Sequence, residues 1–368
     1  MKRFFVSTTV SAFVLGAVSA LAGGHGFAPI PVTGAGIYND APITRPYLRN
    51  YDFNNGLTEC RIPPVKGMPP TTPSKKLKGY PVPTLVLRGG GYEKGDEMTG
   101  FNDLVDPKKN VAIVLTASQP NSGYTPAYAL DYYNRIVPNT LDAIFTRQNG
   151  QGYTQYGPLS PDSDKNVNAV NSSGGVLITG GYPANLQGLA DSGVGFAILN
   201  AYLHGKPIYG NSGALSLIGA KSLSRIPPTG QPGEIGQGLG LVNATLISHF
   251  NDPRFGDMRR IFWDVVNSTG ENAPPGVAIS LDTLVTVKDS NLYAIPDANP
   301  RHRVYIYDPK NYPATANPRC DVWYLGTGDT YNLVTRRAYN GMAPASRGVA
   351  PMESALGDGD ALVPDQSP

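Results

Sequence analysis

The sequence is poor in the residues that build metal sites, and neither sign of charge dominates it. Its 368 residues include only four histidines, and none of them has a metal-binding spacing such as H-x-x-x-H. This absence disfavours a metalloenzyme, and we expect neither a metal nor another cofactor. The formal net charge is +2, and the lysines and arginines are scattered rather than clustered. Nucleic acid is therefore not an expected partner.

Long apolar runs are absent except at the N-terminus. There, Met1-Lys2-Arg3 precedes a largely apolar stretch from Phe4 to Leu21, and Ala20-Leu21-Ala22 completes an A-x-A pattern. A positive start, a short apolar core and small residues at its end are typical of a secretory signal peptide. We expect residues 1–22 to be cleaved and the protein to be secreted, either extracellular or periplasmic. No later stretch is long and apolar enough to span a bilayer, so no membrane association is expected after cleavage.

Cysteine is also scarce, since Cys60 and Cys320 are the only two. In an oxidising compartment they could pair as a disulfide, and two free buried thiols are the alternative. Both lie in segments rich in proline, glycine and asparagine, which we interpret as an N-terminal extension over 23–82 and a C-terminal extension over 311–368. The intervening residues 83–310 are expected to form the main domain.

Short apolar runs alternate with helical patterns through the main domain. Strands are predicted over 83–88, 111–118, 141–146, 175–181 and 207–209, helices over 128–136, 166–172 and 186–204, and late strands within 276–287 and 303–307. Continuous apolar, β-branched runs suit strands that are buried on both faces. The alternation therefore predicts an α/β fold with a mostly parallel sheet and helices on both of its faces.

Four of the predicted strands end in small or polar residues. These ends are Gly89-Gly90-Gly91, Thr116-Ala117-Ser118, Thr179-Gly180-Gly181 and Asn211-Ser212-Gly213. In parallel sheets, functional loops lie beyond the carboxyl ends of the strands. Glycines such as Gly90 and Gly91 allow a substrate backbone to approach closely. We therefore expect the functional site at this edge of the sheet.

The stretch from Lys206 to Ala220 predicts a strand, a very tight turn at Ser212 and a helix. Small residues on both sides of Ser212 allow the strand and the helix to pass closely. Backbone N–H groups at the start of a helix would stabilise the oxyanion that forms when a serine hydroxyl attacks a carbonyl group. The alternative interpretation is a Gly-Asn-Ser-Gly loop that only turns the chain.

A serine nucleophile requires a base, and His249 is the histidine best placed to be one. It follows the apolar run from Ala244 to Ile247, which puts it at a strand end, the same kind of position as that of Ser212. A lone histidine at the end of a strand can also have a purely structural role.

The order of these motifs resembles that of the cyanophycinases and the related aspartyl dipeptidases. The matching motifs are Gly89-Gly90-Gly91, Thr116-Ala117-Ser118, Ile178-Thr179-Gly180-Gly181, Gly210-Asn211-Ser212-Gly213-Ala214, Gly238-Leu239-Gly240-Leu241 and His249-Phe250. The resemblance covers the chain from about Thr84 to Val287. It implies a three-layer α/β/α sandwich similar to class I glutamine amidotransferases, with a nucleophile elbow. It also implies a serine peptidase that releases β-aspartyl-arginine dipeptides from a polymer, and it suggests a homodimer.

The resemblance assigns roles to individual residues. Ser212 corresponds to the nucleophile and His249 to the general base, while Gly213, with Gly180 or Gly181, would supply the N–H groups of the oxyanion hole. The residues expected to contact a peptide or polymer substrate are Gly90, Gly91, Tyr182, Arg254 and Arg259. These two arginines, with Arg260, could bind an aspartyl carboxylate, because guanidinium and carboxylate groups have matching geometries. A solvated basic face is the alternative interpretation.

The chain departs from the family at three places near these residues. The elbow lacks the alanine that usually follows the serine, Tyr182-Pro183 replaces an Asp-Gln pair, and Ile247-Ser248 replaces another Asp-Gln pair directly before the histidine. The Asp-Gln pairs help to shape the substrate pocket in the family. These departures therefore affect the expected substrate more than the expected nucleophile.

Two carboxylates are candidates for the acid of a catalytic triad. The family carries an Asp-Glu pair in a late strand, where this chain has Ser280-Leu281-Asp282. Asp282 is one residue beyond the expected position, and such a shift on a strand turns the side chain to the opposite face unless a bulge restores it. Glu234 lies between the nucleophile and the histidine, where the aspartyl dipeptidases carry their acid. Asp282 is slightly favoured.

The sequence thus predicts a secreted serine-type peptidase or amidase that acts on aspartyl or isoaspartyl amides. A non-catalytic secreted binding protein on the same scaffold is the alternative. A class I amidotransferase-like enzyme is disfavoured because that chemistry uses a cysteine nucleophile, and neither Cys60 nor Cys320 lies at an elbow.

Overall fold

The fold is described from a computed structural model. It describes residues 58–70, 78–91, 93, 98–117, 125–144, 160–186, 188–225, 234–250, 273–295, 303–308, 310–311 and 322–341. All of them belong to one compact unit that spans residues 51–368. Across these ranges, no helix is both long and apolar enough to cross a membrane. The predicted signal peptide lies outside the described residues.

Sixteen strands are present in the described part of the chain. They are β1 (Glu59–Arg61), β2 (Thr84–Arg88), β3 (Val111–Val114), β4 (Leu141–Ile144), β5 (Gly175–Ile178), β6 (Ile208–Asn211), β7 (Gly219–Arg225), β8 (Glu234–Gln237), β9 (Val242–Ile247), β10 (Gly276–Ile279), β11 (Leu284–Lys288), β12 (Asn291–Ala294), β13 (Val304–Tyr307), β14 (Val322–Leu325), β15 (Thr330–Asn332) and β16 (Arg337–Tyr339). They form two sheets.

Parallel strands in the order β2-β6-β5-β3-β4 form one side of the larger sheet, with β4 at its edge. Antiparallel strands β11, β12, β15 and β16 extend this sheet beyond β2. Arg88 lies opposite Asn211, and Val114 lies opposite Ile178, so the carboxyl ends of β2, β6, β5 and β3 share one edge. The predicted α/β fold class and its parallel sheet are therefore confirmed.

The smaller sheet has seven strands in the order β1-β14-β13-β10-β9-β7-β8. Strand β9, which leads to His249, lies in this sheet and pairs in parallel with β7 and β10. Ser212 follows β6 of the larger sheet. The two predicted catalytic residues therefore come from different sheets, although each follows the carboxyl end of its strand.

The described helices are α1 (Thr99–Asn102), α2 (Pro126–Asn134), α3 (Asp164–Ser172), α4 (Gly193–Leu203) and α5 (Leu215–Ile218), with 3-10 turns at Pro183–Leu186 and Ser212–Ala214. Helices α2, α3 and α4 begin at the side-chain caps Thr125, Ser163 and Ser192. Such caps satisfy backbone N–H groups that have no partner within the helix. The helices predicted over 128–136 and 166–172 are confirmed to within a few residues. The helix predicted over 186–204, with a break between Gly193 and Gly195 as an alternative, begins only at Gly193, as α4, and the preceding 3-10 turn ends at Leu186.

The two faces of the parallel sheet pack into separate apolar cores. One core joins the sheet to α1 and α2 and includes Val86, Ile113, Leu177, Tyr209, Phe101 and Tyr133. The other joins it to α3, α4 and the smaller sheet and includes Leu87, Val114, Val176, Val170, Ile198 and Val277. Helices therefore cover both faces, as the apolar runs predict, and burial of both faces explains why those runs are continuous.

The segment that contains Asp282 differs from the predicted late strand. Residues 276–279 form β10 of the smaller sheet and residues 284–288 form β11 of the larger sheet. Asp282 lies in the turn between them with a φ of 59°, a left-handed conformation that aspartate tolerates better than most residues. Asp282 therefore belongs to no strand, and the one-residue shift along a strand does not determine where its side chain lies.

The helix after Ser212 is shorter than predicted. The 3-10 turn leads into a single turn of α-helix, α5, and β7 begins directly at Gly219. One turn adds little macrodipole, so any stabilisation of an oxyanion here depends on individual N–H groups.

Both predicted extensions contribute strands to the sheets. β1, from the segment 23–82, pairs in parallel with β14, from the segment 311–368, and Cys60 lies opposite Trp323. β15 and β16 complete the larger sheet. Cys320 lies outside the described residues, so its disulfide with Cys60 stays a prediction.

Candidate active site

Ser212 stands directly after β6 with a φ of 54°. A left-handed backbone is uncommon for a residue other than glycine and stores strain of about 1–3 kcal/mol. The side chain is half-buried, between the fully buried strand and the 3-10 turn that begins at Ser212 itself. This sharp connection from strand to helix is the geometry expected of a nucleophile elbow.

His249 lies against this serine. It follows β9, is 7% exposed and also has a φ of 54°. Its backbone N–H donates to Gly89 O at 2.8 Å, which joins it to the loop after β2. The distance from Ser212 Oγ to His249 Nε2 is 2.7 Å. This separation lies within the range in which an imidazole can take the proton of a hydroxyl group.

Gly90 forms the surface on which the His249 ring rests. Its φ is +125°, and a Cβ added there would lie 2.2 Å from His249 Cε1 and 2.4 Å from Nε2. Only a residue without a side chain leaves room for the imidazole in this position. Gly90 was expected to contact substrate, and in the structure its Cα faces the histidine ring.

Three glycines predicted for an oxyanion hole surround Ser212. A Cβ at Gly180 would lie 2.9 Å from Ser212 Cβ, and a Cβ at Gly213 would lie 2.1 Å from Gly181 O. Among the described residues, none of the N–H groups of Gly180, Gly181 and Gly213 donates to an acceptor. These three N–H groups are therefore the candidate donors of an oxyanion hole.

Asp282 approaches the site, but its carboxylate bonds to Arg88. Arg88 Nη2 donates to Asp282 Oδ1 at 2.8 Å, and Arg88 Nε donates to Gly90 O at 3.0 Å. The Asp282 N–H also donates to Gly90 O, at 3.1 Å. Within the described residues, the expected hydrogen bond between Asp282 and His249 is not formed. Instead, Asp282 and the buried Arg88 hold the loop on which the histidine rests.

Glu234, the other candidate acid, begins β8 at the edge of the smaller sheet. Its backbone lies opposite Arg225 of β7, and its side chain lies outside the described residues.

Tyr182 follows Gly181 near the elbow and is 46% exposed, which leaves its ring accessible to a ligand. Gly91, the second glycine expected to contact substrate, accepts a hydrogen bond from Asn211 through its carbonyl oxygen. Arg254 and Arg259 lie outside the described residues.

Three residues support this site although no such role was predicted for them from the sequence, namely Arg88, Glu93 and Asn211. Arg88 ends a buried strand and is 1% exposed, which is unusual for arginine. Glu93 is 5% exposed, and its carboxylate accepts a hydrogen bond from Asn211 Nδ2 at 2.8 Å. For Arg88, the signal in the sequence was a charged residue at the end of an apolar run, but its partner Asp282 is distant in the sequence.

His204 and a cleft of about 520 Å³ lie away from the edge of the sheet that Ser212 follows. The cleft borders Pro207, at the amino end of β6, whereas Ser212 follows the carboxyl end. Burial, and to a lesser extent the nearby Lys109, lower the pKa of Lys206 in this cleft. Lys206 Nζ donates to two carbonyl groups at the end of α3, which gives it a structural role. In the part of the chain that the structure describes, no group of three or more His, Cys, Asp or Glu side chains is placed to hold a metal ion.

Comparisons with known proteins give matches among solved structures only. No protein-family model and no curated protein matches the chain. One similar structure is the crystal structure of a peptidase from an acI-B1 Actinobacterium, with 15% identity, a TM-score of 0.49, and coverage of 69% of this chain and 98% of that chain. Another is the structure of a putative peptidase E protein from Listeria monocytogenes EGD-e, with 14% identity, a TM-score of 0.41, and coverage of 58% and 98%.

Proposed function

We propose that the protein is a serine-type peptidase or amidase in which Ser212 is the nucleophile and His249 is the general base. The observation that carries this proposal is the 2.7 Å separation between Ser212 Oγ and His249 Nε2. A serine hydroxyl is a weak nucleophile until an adjacent base removes its proton. The strained backbone of both residues supports the proposal, because such strain concentrates at functional sites.

The proposed reaction has two halves. In the first, Ser212 Oγ bonds to the carbonyl carbon of an amide while His249 Nε2 takes the hydroxyl proton, and the carbonyl electron pair moves to oxygen. Collapse of this tetrahedral intermediate breaks the C–N bond, and His249 gives its proton to the departing amine. In the second half, His249 takes a proton from water, the resulting hydroxide attacks the acyl-enzyme ester, and Ser212 leaves with the proton.

The N–H groups of Gly213 and of Gly180 or Gly181 are proposed to bind the oxyanion. The three glycines lie at the elbow or against it, and none of their N–H groups donates to an acceptor within the described residues. Fixed donors of this kind stabilise charge that develops in the transition state, and loss of one costs about 10²- to 10³-fold in rate. We assign Asp282 to holding the loop after β2 through Arg88, not to orienting the histidine.

For the substrate we propose an aspartyl or isoaspartyl amide, of the β-Asp-Arg type that the sequence resemblance implies. The exposed Tyr182 beside Gly181 is a proposed contact for the side chain or leaving group. Arg254 and Arg259 are proposed to bind the substrate carboxylate. Secretion after removal of residues 1–22 belongs to the same proposal and suits an enzyme that acts on an external peptide or polymer.

Hydrolysis of aspartyl and isoaspartyl dipeptides by the wild type and by Ser212→Ala tests the proposal. The variant should lose at least about 10³-fold in turnover, because the covalent route is closed. His249→Ala should lose a similar amount. Ser172→Ala and His204→Ala are matched controls, because both residues lie away from the candidate site. The exposed Ser172 hydroxyl donates to carbonyl groups of its own helix, and the half-buried His204, which follows α4, bonds through Nδ1 to Asn200 O.

A fluorophosphonate probe covers the case in which the true substrate is a different amide. Such probes react with an activated serine whatever the natural substrate is. Labelling that depends on Ser212 and His249 supports the hydrolase. A protein that neither hydrolyses these peptides nor reacts with the probe is instead the non-catalytic binding protein.

A further inference from the structure

Glu93 is a buried carboxylate close to the nucleophile that the proposed reaction does not use. It is 5% exposed, and its Oε1 accepts three hydrogen bonds, from Tyr133 OH at 2.5 Å, Tyr209 OH at 2.9 Å and Asn211 Nδ2 at 2.8 Å. Its backbone oxygen accepts another from Tyr132 OH. Burying a carboxylate is unfavourable unless it is hydrogen-bonded, so this cluster fixes the position of Glu93.

One of these partners is the residue directly before the nucleophile. Asn211 Nδ2 donates both to Glu93 Oε1 and to Gly91 O, the latter at 3.1 Å. A flipped amide would place Oδ1 against two acceptors, so the contacts permit a single orientation. The end of β6 is therefore clamped to the loop that follows β2.

The same loop holds the histidine at its other end. Gly89 O accepts the His249 N–H at 2.8 Å, and the imidazole rests on Gly90. Gly89 to Gly91 therefore contact the base on one side and the strand that bears the nucleophile on the other. The distance between Ser212 Oγ and His249 Nε2 depends on how this loop is held relative to β6.

We propose that Glu93 is a positioning residue for the catalytic pair. Its carboxylate fixes Asn211, Asn211 fixes Gly91, and this chain of contacts sets the separation of Ser212 and His249. The inference rests on the proposed function for its effect on rate, but its effect on geometry is independent of that function. Glu93 does not touch the reacting atoms.

Three variants separate positioning from simple destabilisation. Glu93→Ala should lower the rate of fluorophosphonate labelling of folded protein by roughly 10- to 100-fold, because small displacements of reacting groups have effects of this size. Glu93→Gln should retain most of the rate, since the amide oxygen can accept the same hydrogen bonds. Asn211→Ala should resemble Glu93→Ala, and it tests the proposal if Glu93→Ala does not fold.

Asp308→Ala is the matched control. Asp308 is a fully buried carboxylate that accepts a tyrosine hydroxyl, from Tyr331 at 3.0 Å, and an asparagine amide, from Asn311 at 2.9 Å. None of these residues belongs to the candidate site. Asp308→Ala should lower the unfolding temperature as Glu93→Ala does, but it should leave the labelling rate of the folded protein unchanged. Equal labelling rates for Glu93→Ala, Asp308→Ala and the wild type would overturn the inference.

Crystal structures of the wild type and of Glu93→Ala test the positioning role of Glu93 without relying on activity. The proposal predicts that Ser212 Oγ and His249 Nε2 move apart beyond hydrogen-bond distance, above about 3.2 Å, in the variant. An unchanged separation in folded Glu93→Ala would refute the role of Glu93. If the wild type keeps the short separation but fails to react with the probe, the proposed function fails while this geometric test still applies.

Discussion

Substitution of Gly90 by alanine should disable the catalytic pair while leaving the fold intact. The added Cβ would lie 2.2 Å from His249 Cε1, whereas carbon atoms in contact are ordinarily about 3.5–4.0 Å apart. The ring would have to move by more than about 1 Å, and a displacement of that size can cost about 100-fold in rate. The positive φ of Gly90 adds strain of about 1–3 kcal/mol to the folded state.

Gly67→Ala separates the effect on the histidine from the backbone strain. Gly67 has a φ of +112°, close to that of Gly90, and a Cβ there would meet nothing within 4 Å. Both variants should therefore lose stability in thermal unfolding through backbone strain, and Gly90→Ala should lose more because its Cβ also overlaps with His249. Only Gly90→Ala should lose fluorophosphonate reactivity and peptide hydrolysis when the two are compared below their unfolding temperatures.

Wild-type reactivity in folded Gly90→Ala would refute this reasoning. It would mean that the imidazole either does not rest on Gly90 or can move without leaving Ser212. A loss of reactivity in Gly67→Ala equal to that in Gly90→Ala would show that strain, and not the contact with His249, controls the rate.

Two further substitutions test the remaining parts of the site. Asp282→Asn should change the labelling rate by less than about tenfold, because Asp282 pairs with Arg88 and an ion pair with a partly exposed member is weak. If Asp282 oriented His249 as a triad acid, the same substitution would lower the rate by about 10⁴-fold. Gly213→Ala should lower hydrolysis by about 10²- to 10³-fold, since its Cβ would lie 2.1 Å from Gly181 O and displace a proposed oxyanion donor. Full hydrolysis by folded Gly213→Ala would remove this glycine from the oxyanion hole.

The parallel part of the larger sheet could be predicted because its strands are buried on both faces. A run such as Val111–Val114 is apolar throughout, and its burial is complete. The ends of these strands could also be predicted, because each apolar run stops where small or polar residues begin. Ser212 and His249 were identified from such ends, without knowledge of the sheet to which each strand belongs.

The supporting contacts could not be predicted because each depends on a single approach between distant residues. Glu93 meets Asn211 across more than a hundred residues, and Arg88 meets Asp282 across nearly two hundred. No local periodicity encodes such pairs. The turn at Asp282 could not be predicted either. An aspartate between two apolar runs is compatible with one bulged strand and also with two strands in separate sheets that a left-handed residue connects.

Labelling of the wild type with a fluorophosphonate, followed by mass spectrometry of its peptides, tests the central claim most directly. If Ser212 and His249 form a catalytic pair, Ser212 alone should carry the phosphonyl group. His249→Ala should then lower the labelling rate by at least about 10³-fold, because the hydroxyl loses its base. An unlabelled Ser212, or a labelling rate that does not depend on His249, would contradict the account.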